Sequence, residues 1–287
     1  MSHNYVLITD DTCDMPASFY KEHDIPLLRL HFTIDGVSYD GGQMSEPEFY
    51  VQLRKGKMPT TAQVGVDQAY QFMEAIAKEG RDILFLAFSS GLSGTAGSGM
   101  VAAGMLREKY PERNIRVVDS LCASMGEGLL LHKLVALRDE GKSLDELADW
   151  AEANRLNVAH YVAAEDLMHL HKGGRISKTS ALMGSMLGIK PMIYVNNEGK
   201  LINVGKVRGR RQALQSLVDM AARAVGNTKS DTFCVSHADA REDAEYVAEL
   251  VKKRLGIENS IIHYIGPVIG SHTGPGAIAL FLMADHR

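Results

Sequence analysis

Ile83-Leu84-Phe85-Leu86-Ala87-Phe88 runs directly into Ser89-Ser90-Gly91-Leu92-Ser93-Gly94-Thr95-Ala96-Gly97-Ser98-Gly99. A short apolar run bounded by turn formers reads as a strand buried on both faces. The Ser/Gly tract then turns the chain, and Ala96–Tyr110, rich in small residues, reads as a helix able to pack closely on a neighbour. A buried strand entering a helix through a tight polar turn is the unit of an α/β fold. Backbone N–H groups and the helix dipole at such a turn favour an anion or a carboxylate.

The same alternation extends in both directions. Tyr5–Thr9 reads as a buried strand, Pro16–His23 as a helix opening on proline, and Leu27–Ile34 as an alternating strand closed by an Asp35-Gly36 turn. Ser45-Glu46-Pro47-Glu48 and Ser143-Leu144-Asp145-Glu146 are capping boxes, so each predicts a helix. Ile115–Asp119 is a strand. Near Asn154–Asn157 the pattern restarts with Val158–Ala164. Met192–Val195 and Leu201–Val207 flank an Asn196-Asn197-Glu198-Gly199 turn, which predicts a hairpin and hence a mixed second sheet. Arg210–Ala224 and Arg241–Leu255 are amphipathic helices. Phe233–Val235, Ile261–Ile265 and Ile278–Met283 complete the strands. The expected architecture is two α/β domains, residues 1–155 and 156–287.

Composition narrows the function. A chain of 287 residues exceeds the usual domain size of about 100–200, and it buries enough surface to fold without a disulfide or a metal. Cys13, Cys122 and Cys234 are odd in number, far apart and outside any CxxC pair, which argues against a disulfide framework and a zinc site. A net charge of −4 is unlike a nucleic-acid-binding domain. No apolar run approaches the ~18 residues of a membrane span, and no signal peptide is evident, so the expected compartment is the cytoplasm.

Three hydroxyl-rich or glycine-rich clusters stand out: the Ser89–Gly99 tract, Pro59-Thr60-Thr61-Ala62-Gln63, and Gly270-Ser271-His272-Thr273-Gly274-Pro275-Gly276. For Thr60 and Thr61 the plain alternative is N-capping of a helix over Gln68–Lys78. For His272 it is a satisfied loop histidine. Gly97-x-Gly99-x-x-Ala102 followed by Asp119 formally matches a dinucleotide fingerprint, but a long loop separates the strand from its first glycine. Ser93, Asp119 and His272 stand in the chain order of a serine hydrolase, although Thr95 occupies the position of the elbow glycine. His169 and His171 splay apart on a helix and lack further ligands for a metal. Lys200, Lys206, Arg208, Arg210 and Arg211 form one basic cluster, either a solvated face or a surface for an acidic partner.

Seven short segments, taken in order, resemble the DegV family along the whole chain. They are Thr9–Asp14, Pro59–Thr61, Ser89–Thr95, Val118–Ser120, Lys172–Ile176, Ile189–Pro191 and His272–Gly276. The resemblance implies a two-domain α/β fold with one long-chain fatty acid, non-covalently bound, in a slot between the domains. It implies that Thr61 and Ser93 hold the carboxyl, with Thr60, Gly94 and His272 completing the head-group network. No cofactor is implied, and no chemistry by this chain alone. The implied partner is a separate ATP-dependent fatty acid kinase subunit that receives the carboxyl and forms an acyl phosphate, with Arg175, Arg208 and Arg211 as docking residues. Asp11, Ala62, His169 and His171 depart from the family pattern.

Overall fold

The computed structural model describes residues 4–177, 188–228 and 230–287. The first sheet is wholly parallel, in the order β2-β1-β6-β7, with β1 at Tyr5–Asp10, β2 at Leu27–Leu28, β6 at Asp82–Ala87 and β7 at Ile115–Asp119. Alternate side chains leave opposite faces of a strand. Val6, Ile8, Ile83 and Phe85 pack on helices α3 (Val66–Lys78) and α4 (Thr95–Lys109). Leu7, Leu84 and Leu86 point the other way, onto α5 (Met125–Asp139) and α6 (Leu144–Asn154). Both faces are covered, so the sequence reads apolar throughout.

The second sheet is mixed, in the order β10-β9-β8-β13-β11-β12. Its strands are β8 (Val158–Ala163), β9 (Ile189–Val195), β10 (Leu201–Arg208), β11 (Thr232–His237), β12 (Asn259–Tyr264) and β13 (Ile278–Met283), and only the β11–β12 pair is parallel. Helices α8 (Arg210–Val225) and α9 (Arg241–Leu255) cover its outer face through Leu214, Leu217, Val247 and Val251. Its inner face, including Val162, Ala279 and Phe281, joins the same core cluster as Leu129, Leu130 and Leu134 of α5. Helix α5 therefore lies between the two sheets.

A third, antiparallel sheet, β4-β3-β5, is built from β3 (His31–Ile34), β4 (Val37–Asp40) and β5 (Thr60–Ala62). Helix α2 (Glu46–Arg54) follows the hairpin, and Phe49 and Tyr50 pack with Phe32. The remaining helices are α1 (Ala17–Glu22), α7 (Met168–Lys172) and α10 (Pro267–Thr273).

Three expectations change. Leu27–Ile34 is two strands in two sheets: Leu27 and Leu28 pair with β1, while the Leu30 N–H leaves the ladder for the Asp11 carboxylate at 2.9 Å. Thr60 and Thr61 belong to a strand, since α3 is preceded at its N-cap by Gly65. His272 sits in the last turn of a short helix that opens on Pro267.

Candidate functional site

Between Ala123 and Ser124 at the entry to α5, the six-stranded sheet, the Ser89–Thr95 loop and α10 lies a cleft of about 760 Å³, counted out to its open mouth. Its walls are mostly apolar, with Phe88, Leu92, Val162, Val195, Leu201, Val268 and Phe281 among them. The described lining includes no carboxylate, and Arg175 is its one permanently charged residue.

Polar groups converge at one end. On β5 the side chains alternate: Thr61, paired with Phe32, is half-buried and lines the cleft, whereas Thr60 and Ala62 are exposed on the other face. Thr60 therefore stands away from the cleft. Thr61 Oγ1 lies 2.8 Å from His272 Nε2. His272 Nδ1 has no partner among the described residues and faces Gly173, where an added Cβ would come within 2.0 Å. A buried N–H without an acceptor costs more than a bare acceptor, so the proton belongs on Nε2. His272 then donates to Thr61, whose own hydroxyl proton is left for an acceptor in the cleft. Burial first, then Arg175 and His169, pushes the His272 imidazole down to about 4, which keeps it neutral.

Ser93 arrives from the Ser/Gly turn at the start of α4. Its Oγ accepts the Thr95 N–H at 3.3 Å and meets Thr95 Oγ1 at 3.0 Å, while Thr95 Oγ1 accepts the Val64 N–H at 3.3 Å. Gln63, just beyond Thr61, accepts the Gly94 N–H on Oε1 at 3.0 Å. Any side chain at position 94 would overlap that amide, 2.2 Å away. Gly94 is thus required by close approach, and Gln63 ties together the two loops that carry Thr61 and Ser93. Arg175 donates from Nε to the Leu92 carbonyl at 3.1 Å and from Nη1 to the Gly173 carbonyl. Burial lowers its affinity for a proton but leaves it a cation. An apolar slot with hydroxyl donors, a neutral imidazole and one guanidinium at one end suits an anion on a long apolar body.

Residues 4–285 match the family profile described as "Uncharacterised protein, DegV family". The chain belongs to the DegV family. A DegV domain-containing protein of Clostridium perfringens is 41% identical over 286 residues, covering 99% of this chain and 98% of the relative. Among solved structures, a fatty acid binding DegV family protein of Streptococcus agalactiae aligns with a TM-score of 0.86 at 28% identity, covering 99% of this chain and 100% of that one. DegV of Bacillus subtilis, described as a fatty acid binding protein, aligns with a TM-score of 0.83 at 26% identity and the same coverage.

Four of the seven DegV segments contribute to the cleft lining, through Thr61, through Leu92 and Ser93, through Arg175, and through His272 and Thr273. Arg175, expected at a partner surface, forms part of the cleft wall. Arg208 and Arg211 are exposed. Arg211 lies over the Tyr246 ring, 4.1 Å from its centre, and Arg208 has no ion-pair partner among the described residues. A hydrolase triad does not assemble. Asp119 accepts from the Ser90 and Leu121 amides at 3.1 and 3.0 Å, His272 meets Thr61, and Ser93 meets Thr95. Gly97 and Gly99 lie inside α4, and Gly99 lets the helix approach Phe85, which an added Cβ would meet at 2.7 Å. Among the described residues no cluster is suited to a metal, and no helix is long and apolar enough to cross a membrane. Gln63 and Ser124 line the cleft and escaped the sequence reading. Gln63 lies two residues beyond Thr61, in the tract its threonine pair already marks, a usable signal. Ser124 gives none, because only its left-handed backbone, φ 52°, turns it inward.

Proposed function

We propose that this DegV protein binds one long-chain fatty acid non-covalently in the cleft, with its carboxyl at Thr61 and Ser93, and presents that carboxyl to a separate ATP-dependent kinase subunit. What carries the reading is the meeting of Thr61, Ser93 and His272 at one end of an otherwise apolar slot. Relatives that share the fold at 26–28% identity are described as fatty acid binding proteins, which supports it.

Each buried methylene contributes about 0.8 kcal/mol. A chain of about 16 carbons gives on the order of 10 kcal/mol before the costs of association. The tail therefore supplies affinity, and the hydroxyls place the carboxylate. In the partner reaction one carboxylate oxygen bonds to the terminal phosphorus of ATP as the bond to ADP breaks, giving an acyl phosphate. Arg208 and Arg211, both exposed, are the residues we assign to docking that partner. The two units proposed here meet near residue 156, between α6 and β8.

Native mass spectrometry of the protein as purified, followed by denaturation, tests the binding. One fatty acid per chain, released on denaturation, is expected. Apo protein alone, with no solvent-extractable lipid, would overturn the reading.

A further inference from the structure

Strands β8 and β9 have a second face. Val162 and Val195 point into the cleft, while the neighbouring residues Tyr161 and Tyr194 point outward and are directly paired across the two strands. They floor a groove between β9, β10 and α8, a space of about 1010 Å³ counted out to open solvent. Met192, Val207 and Met220 make its apolar walls, and Lys206, Arg223 and His286 stand around it. No carboxylate is among the described residues lining it.

The polar groups here are unspent. Tyr161 is only 5% exposed, yet its hydroxyl has no hydrogen-bond partner among the described residues. Burial raises the Tyr161 phenol above its ordinary value and so keeps its proton, with Arg223 close enough to offset part of that rise. Lys206, Arg223 and His286 are exposed and make no ion pair among the described residues. Arg287 also borders the groove, but its guanidinium is committed to the carbonyls of Val158, Asn196 and Arg155. The nearby carboxylate of Asp285 is likewise taken, by Asn227 and Thr228. Two phenolic donors, a guanidinium, an ammonium and an imidazole thus meet in one groove whose described lining holds no carboxylate, Asp285 beside His286 standing outside it. A dianion with three acceptor oxygens satisfies that set better than a carboxylate does.

We propose that this groove is a second ligand site, on the opposite face of the sheet from the fatty-acid slot, and that it takes a phosphate monoester carried on an apolar body. Arg223 and Tyr161 are its central donors, Lys206 adds charge at the rim, and the His286 imidazole stands beside it. Such a group has two sources, a soluble phosphate ester or the headgroup of a phosphatidate in a bilayer.

Calorimetric titration of the whole protein with phenyl phosphate, and sedimentation with vesicles containing phosphatidate, separate these sources. The proposal expects saturable binding of at least one probe, weakened about tenfold by Arg223→Gln and less by Tyr161→Phe. Both variants should keep the lipid content of the parent, which shows that they are folded and that the slot is intact. Response to phenyl phosphate marks a soluble ligand, and response to vesicles alone marks a headgroup. Absence of saturable binding to both probes would overturn the proposal, as would equal affinity in the parent and Arg223→Gln.

Discussion

Two polar clusters border the cleft, and they differ in what they leave unspent. At the head end Thr61, Ser93 and His272 are half-buried, and the Thr61 proton and one His272 nitrogen have no partner among the described residues. Behind the cleft Asp10, Asp14 and Glu127 are fully buried and fully engaged. Asp10 accepts from the Phe88 and Thr12 amides and the Thr12 hydroxyl. Asp14 accepts from Ser124 at 2.6 Å and the Gly266 amide at 3.0 Å, and Glu127 from Thr9 at 2.9 Å. A saturated buried network fixes geometry, whereas an unsaturated one awaits a ligand. The acidic cluster ties β1 to Phe88, to the start of α5 and to the start of α10, which are the walls that hold the head-end groups.

The largest expected effect follows from cutting the saturated cluster. Asp10→Ala strands three donors and should destabilise the protein by on the order of 4 kcal/mol, read as a shift in denaturant midpoint. A shift within about 0.5 kcal/mol would mean that the cluster is not a tether.

Opposite behaviour is expected at the head end. Thr61→Ala takes the acceptor from the His272 N–H and Ser93→Ala takes it from the Thr95 N–H, so each should cost about 1 kcal/mol of stability, well short of Asp10→Ala. Each removes a contact to the carboxylate of about 1–3 kcal/mol, several times less than the tail contributes. Lipid should therefore remain while acyl-phosphate yield with a partner kinase falls far more, because transfer depends on placement. His272→Ala should do the same more mildly. Equal losses of lipid and of yield would show that these groups hold the ligand without aiming it.

A smaller effect is linked to pH. Burial raises the carboxyl of Asp11, beside the acidic cluster, to about 7. Between the ordinary aspartate value and that point, the folded state keeps a proton that the unfolded chain releases. Stability from this group is full at low pH and is lost as pH rises toward 7, with a slope of about 1.4 kcal/mol per unit. His272 works the other way: its depressed value makes stability rise with pH from about 4 to the ordinary imidazole range. Subtracting the Asp11→Asn stability profile from that of the parent isolates the Asp11 fall, and a flat difference would refute the assignment. Smallest of all, Arg208→Glu with Arg211→Glu should leave lipid content and stability unchanged within about 0.5 kcal/mol, while weakening kinase coupling most at low salt.

The two clusters were also unequally legible in the sequence. Thr61, Ser93 and His272 sit in tracts whose glycine and hydroxyl density marks a close polar approach, so their chemistry could be read locally. The partners of Asp10, Asp14 and Glu127 lie far along the chain, and no local pattern joins them. Helix α5 escaped for a related reason. Met125–Val135 is buried almost all round, between two sheets, so it lacks the one-sided period that reveals a surface helix. The β10 alternation and the α9 boundaries were plain because each has one wet face. Thr60 was misplaced for want of a strand: once β5 is recognised, a period of two separates it from Thr61.

In the proposed complex the cleft places a fatty-acid carboxyl against Thr61 and Ser93. Carbon NMR of the protein loaded with a long-chain fatty acid labelled at its carboxyl carbon tests this most directly. One sharp bound resonance is expected, displaced in Thr61→Ala and in Ser93→Ala and unmoved in the Arg208 and Arg211 double variant. A bound resonance that is the same in all three variants would contradict it.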